Sequence, residues 1–113
     1  MIYTSYFGNW RNFPEEFKKV SVARFPPKWT EVDIHSDELS PSVELFTAFK
    51  KGEISEEEFD KRYTDHLSTL DPKEIAETYD NSLLLCFEKQ CGGCHRNLII
   101  RWLRENRIKV EEL

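Results

Sequence analysis

The stretch LLLCFEKQCGGCHRNLIIRWLREN, residues 83–106, holds all three cysteines of the chain, one of its three histidines and two aromatic rings. Three chemistries can be written on it. Cys91-Gly-Gly-Cys-His95 has the C-x-x-C-H pattern of c-type haem attachment. Cys86, Cys91, Cys94 and His95 are four potential zinc ligands in a short span. Cys91 and Cys94, placed before a helix, have the spacing of a thiol–disulfide pair.

Each of these meets an obstacle. Haem needs a second axial ligand, and Met1 is the only methionine. Haem attachment also belongs to exported proteins, and MIYTSYFGNW lacks the basic-then-apolar layout of a secretion signal. Zinc lacks a second, distant C-x-x-C, and the adjacent Cys94 and His95 are awkward ligands for one tetrahedral ion. The thioredoxin order places its redox motif near the start of the chain, not near the end.

A fourth reading takes Cys94, His95 and Arg96 as one unit at a helix start. An arginine in a first turn opposes the helix dipole, at a cost of up to about 1 kcal/mol. A bound phosphate or carboxylate would remove that conflict. Arg24 offers a second guanidinium fork for an anion. Glu88, across the same turn, can orient His95 or act as a base. Cys94 is then the candidate nucleophile, and His95 or Glu88 the acid–base group. The alternative is that Arg96 pairs with Glu88 or with the acidic helices.

The elements that must position these residues are marked by local signals. Ile2–Phe7 and KVSVARF read as strands, the second stopped by Pro26-Pro27, with GNWRNFPEEF between them as a loop containing a helical turn. Three helix starts follow. Ser40 caps a helix with Pro41 at its first position and Gly52 past its end. Ser55 and Glu58 form a capping box, and Asp71-Pro72 repeats that grammar. SLLLCFE reads as a strand buried on both faces. In CHRNLIIRWLREN, Leu98, Ile99, Trp102 and Leu103 line one helix face, and RIKVEEL closes the chain as a strand. This order predicts an α/β, Rossmann-like, three-layer domain over residues 1–113, with a mostly parallel sheet of about four strands. Ligands of such sheets bind beyond the carboxyl ends of the strands, which places ARFPPKW and CFEKQCGGCHR on the functional edge.

Other residues have plainer readings. His66 falls on an apolar helix stripe and reads as a packing residue. His35 reads as an exposed loop residue. Trp10, Trp29 and Phe25 read as core, with a pocket mouth as the alternative, and Cys86 as a small buried hydrophobe.

Bulk properties bound the function. The chain has 113 residues, 39% of them hydrophobic and 33% charged, with a net charge of −5. That balance disfavours an extended duplex-binding face, while a local basic pocket for a nucleic-acid end is compatible with it. No apolar run approaches the roughly 20 residues that span a bilayer. A cytoplasmic location without membrane attachment is expected.

Residues 83–103 resemble the signature of the bacterial, archaeal and phage family called domain of unknown function 488 (DUF488). Its members carry a strand ending Leu-Leu-Cys-x-Glu and then Cys-His-Arg opening a helix, here Cys86, Glu88, Cys94, His95 and Arg96. IYTSYF, VSVARFPPKW, LSPS and FKKGEISEEEFDKRY follow the family order. Larger relatives carry Asp-Val-Arg where this chain has Val22-Ala23-Arg24, so an acidic partner for Arg24 is missing, and Cys91 with its glycines lies outside the pattern. The resemblance implies a Rossmann-like domain and no particular reaction. Together these readings predict a small anion- or nucleotide-binding protein, with Cys94, His95 and Glu88 as catalytic candidates. Arg24 and Arg96 are the anion-binding candidates, and no metal or cofactor is expected. The alternatives are a protein-interaction module using the acidic helices between Ser40 and Tyr79, and a zinc-stapled structural domain.

Overall fold

The computed structural model describes residues 1–25, 28, 31–86 and 95–113. Among these, five strands form one sheet: β1 (Ile2–Tyr6), β2 (Lys18–Ser21), β3 (Ile34–His35), β4 (Ser82–Cys86) and β5 (Val110–Glu112). Their order is β3-β2-β4-β1-β5, and every pairing is parallel. All strands therefore end on the same edge. β4 is central, and all five of its residues are buried, as expected of a parallel strand covered on both faces.

Four helices complete the fold: α1 (Val43–Lys50), α2 (Glu56–Leu67), α3 (Pro72–Thr78) and α4 (His95–Glu105). Their starts follow from local chemistry. Ser55 accepts a hydrogen bond from the Glu58 N–H, and Asp71 accepts one from Lys73. These bonds satisfy amides that the helix itself cannot. The Glu58 carboxylate does not complete the capping box; it accepts from Arg62 Nε at 2.8 Å. α1 starts later than expected. Ser42, not Ser40, is its cap, accepting from Leu45, while Ser40 is buried and donates to the Ser36 carbonyl. Gly52 lies just beyond α1 with φ +74°, a left-handed conformation that costs an L-residue about 1–2 kcal/mol.

The four helices share one face of the sheet. Phe59, Tyr63, Leu67, Ile75, Leu98, Ile99 and Leu103 pack against Val20, Val22, Leu84 and Cys86. The opposite face is covered more thinly. There Leu83 and Leu85 meet Phe7, Ala23, Tyr3, Phe13, Phe17 and Val32, drawn from β1, from a 3-10 turn at Phe7–Asn12 and from the segments flanking β2. The described residues between β1 and β2 thus cover one face, while α4, which follows β4 in the chain, packs on the other.

The second strand ends at Ser21, well before the Pro26-Pro27 pair. Beyond it, the Val22 amide still donates to the Leu85 carbonyl at 2.9 Å. His35 is exposed as expected but lies in β3, which a polar sequence concealed. Phe25 and Trp10 are 54% and 48% exposed, so neither belongs to the core. Trp29 lies outside the described residues.

Candidate functional site

α4 starts at the edge where β4 ends. This is the geometry that a strand–loop–helix connection gives in a parallel sheet. His95 and Arg96 occupy its first turn. The His95 ring is half-buried, and its Nε2 lies 2.8 Å from the Val22 carbonyl oxygen. A carbonyl only accepts, so Nε2 carries the hydrogen, and in the neutral ring the basic lone pair is on Nδ1. The ring also meets Tyr63 edge-on, with centroids 5.4 Å apart. Tyr63 is fully buried in α2 and donates its hydroxyl to the Leu39 carbonyl. The start of α4 is therefore fixed to the end of β2 and to α2 at once.

Arg96 is 3% exposed. Its Nε lies 3.9 Å from Glu112 Oε1 at the end of β5, an ion-pair separation rather than a hydrogen bond. Among the described residues an acidic neighbour thus comes from the last strand, a source not foreseen from sequence, while the expected partner Glu88 lies outside them. Burial of a guanidinium is costly unless charges and hydrogen-bond acceptors surround it.

Arg24 lies two residues beyond Val22, on the β2 side of the same edge. Its Nε donates to the Pro41 carbonyl at 2.8 Å and its Nη1 pairs with Asp37 Oδ1 at 2.7 Å. The acidic partner that the Val22-Ala23-Arg24 sequence lacks is supplied from the segment after β3. Hydrogen bonding to Arg24, and then its charge, hold the Asp37 carboxyl below its usual range, against a smaller opposing effect of burial. This anchoring leaves the arginine side chain only 15% exposed. Arg24 and Arg96 thus lie at the edge on either side of central β4, with His95 tied to the β2 side.

Glu88, Cys91 and Cys94 lie outside the described residues, as does any bond among them. Cys86 is fully buried in β4 among the helix-side core, in keeping with its reading as a small buried hydrophobe. His66 packs half-buried against Tyr63 and bonds the Glu38 carbonyl at 2.7 Å, consistent with a packing role.

Two features escaped sequence reasoning. A cleft of about 250 Å³ lies beside the Arg24 anchor, lined by Pro41, Ser42, Leu45, Arg62, Tyr63 and His66 among others. The second is a polar cluster of Ser36, Glu38 and Tyr79, in which the Tyr79 hydroxyl bonds Ser36 Oγ at 2.7 Å and Glu38 Oε1 at 2.8 Å. Burial, above all, pushes the Tyr79 hydroxyl pKa up. Ser36 and Tyr79 are 43 positions apart and unremarkable in sequence, so no local signal announced their meeting.

Fold and edge together define an α/β protein with a parallel sheet and a basic, histidine-bearing helix start beyond its strand ends. No helix among the described residues is long and apolar enough to cross a membrane. The family model DUF488-N3a, described as the active DUF488-N3 subclade, matches residues 2–107, and the chain belongs to the DUF488 family. No curated protein and no solved structure gave a significant match.

Proposed function

We propose that the chain binds a phosphorylated small molecule or nucleotide at the carboxyl edge of its sheet and acts on it chemically. The observation that carries this reading is the burial of Arg96 in the first turn of an eleven-residue helix. A cation there opposes the helix dipole, and an anion at the same helix end is favoured by the dipole, the amides and the guanidinium together. Arg24, anchored by Asp37 and Pro41, adds positive charge on the other side of β4. The family description as an active subclade supports a catalytic role over passive binding.

In this reading Cys94 is the nucleophile. His95, held through Nε2, works as acid–base group through Nδ1, or Glu88 takes that part. Arg96 and Arg24 hold the charged group. A nucleic-acid end presents the same phosphate chemistry. The setting of the reaction is proposed to be cytoplasmic.

Titration calorimetry with inorganic phosphate and with nucleoside monophosphates tests the reading. Arg96→Lys keeps the charge and loses the fork, and should weaken binding by about tenfold or more, the worth of a charge-assisted hydrogen bond. Arg24→Ala should weaken it as well. No saturable binding of any phosphate-bearing compound by the wild-type protein would overturn it.

A further inference from the structure

Thr4 lies in the middle of β1, the strand between β4 and β5. It is fully buried, and its Oγ1 has no hydrogen-bond partner among the described residues. A buried hydroxyl left so is uncommon, because its desolvation goes uncompensated. Side chains alternate along a strand, so Thr4 shares a face with Ile2, which packs in the helix-side core. Ser5 points the other way, accepting from Asn9 of the 3-10 turn.

Register places Thr4 beside Glu112 on β5 and beside Leu84 on β4. Glu112 is the residue whose carboxylate faces Arg96. Thr4, Glu112 and Arg96 are thus gathered between β1, β5 and the start of α4. Leu84 and Val110, on the same face, are both buried and apolar. Thr4 is a polar exception beside these apolar neighbours, and through its register partner Glu112 it is linked to Arg96, the one buried arginine of the described residues.

We propose that the Thr4 hydroxyl is a ligand-binding donor of the anion site at the start of α4, forming its floor beneath a phosphate held by Arg96. The assignment rests on the anion-binding reading above and adds a residue to it. A threonine hydroxyl turns about one bond to aim its hydrogen at an acceptor, and a phosphate oxygen would be that acceptor. Glu112, with its side chain 47% exposed, marks the open side. Its carboxylate opposes an anion, so an arriving phosphate takes the guanidinium over from it.

The test compares Thr4→Val, nearly isosteric without the hydroxyl, and Thr4→Ser, which keeps it. Thermal midpoints are read in phosphate-free buffer, with inorganic phosphate, with a nucleoside monophosphate, and with sodium chloride at matched ionic strength. Without phosphate, Thr4→Val should match or exceed the wild type, since it removes an uncompensated buried group. Its affinity for phosphate should fall by about tenfold or more, while Thr4→Ser stays near wild type. If free phosphate alone raises the midpoint, the site takes the ion itself. If the nucleotide is needed, the phosphate is carried on a nucleoside. A wild-type midpoint that ignores both phosphates, or follows chloride equally, overturns this proposal and the anion reading together. A wild-type response that Thr4→Val retains in full overturns the Thr4 assignment alone. A Thr4→Val chain that fails to fold also overturns it, because the hydroxyl then holds the ligand-free structure.

Discussion

His95 Nε2 donates to the Val22 carbonyl across 2.8 Å, joining two residues 73 positions apart. Val22 is the first residue past β2, so its carbonyl has no following ladder partner on that strand. The imidazole supplies one. This bond holds the first turn of α4 against the edge of the sheet and sets which ring nitrogen can serve as base.

Removing the ring should therefore cost stability as well as any activity. His95→Ala leaves the Val22 carbonyl without its donor in a largely buried place, a loss of about 1–3 kcal/mol, measurable by urea unfolding. Nitrogen-15 chemical shifts at a pH where the ring is neutral should show Nε2 protonated and Nδ1 bare. The opposite tautomer would remove the basis for placing the base at Nδ1.

Arg24 should lose its anchor in acid. The Asp37 carboxyl is held below its unfolded value by Arg24, so its stabilising effect is complete above the unfolded pKa of about 3.9 and fades as pH falls through the lower folded pKa. Near-neutral pH changes should leave the pair untouched. Asp37→Asn should loosen Arg24 at all pH values and flatten this acid dependence, with little effect on stability because Asp37 is 81% exposed. Arginine Nη–H resonances followed from pH 6 to pH 3 report the pair directly, because Nη1 is the atom that meets Asp37. An Arg24 signal that is indifferent to Asp37→Asn would count against the anchor.

Cys94 immediately precedes α4 in sequence and is followed by His95 and Arg96. Positive charge and a helix start favour a thiolate, so its pKa should lie below the free value of about 8.5. Alkylation at neutral pH, located by peptide mass, should label Cys94 first, Cys91 at an ordinary rate and the fully buried Cys86 slowest. Millimolar phosphate should slow Cys94 selectively, and Arg96→Ala should abolish both the speed and the protection. Equal rates at Cys91 and Cys94, unaffected by anions, would leave Cys-His-Arg without a chemical role.

The sequence by itself determined whatever depends on neighbouring residues. Ser55, Asp71 and Pro72 announce helix starts because a cap bonds an amide two or three positions ahead. The apolar Leu83–Leu85 run announces a doubly covered strand, and the Leu98, Ile99, Trp102 and Leu103 stripe a packed helix face. From these the α/β class and a parallel sheet packed with helices were legible. Local grammar misled where two residues of one type competed, as with Ser40 and Ser42. It was silent where an element rests on its partner. β3 is two exposed residues, Ile34 and His35, made a strand only by pairing with Val20 and Ser21. Tertiary structure alone decided the partners of the site. Asp37 reaches Arg24, Glu112 faces Arg96, Val22 receives His95, and Thr4 is buried beside the same cluster. Each of these joins segments brought together by strand order and register. Those are set by how the whole sheet buries its two faces, and no single stretch of residues encodes that.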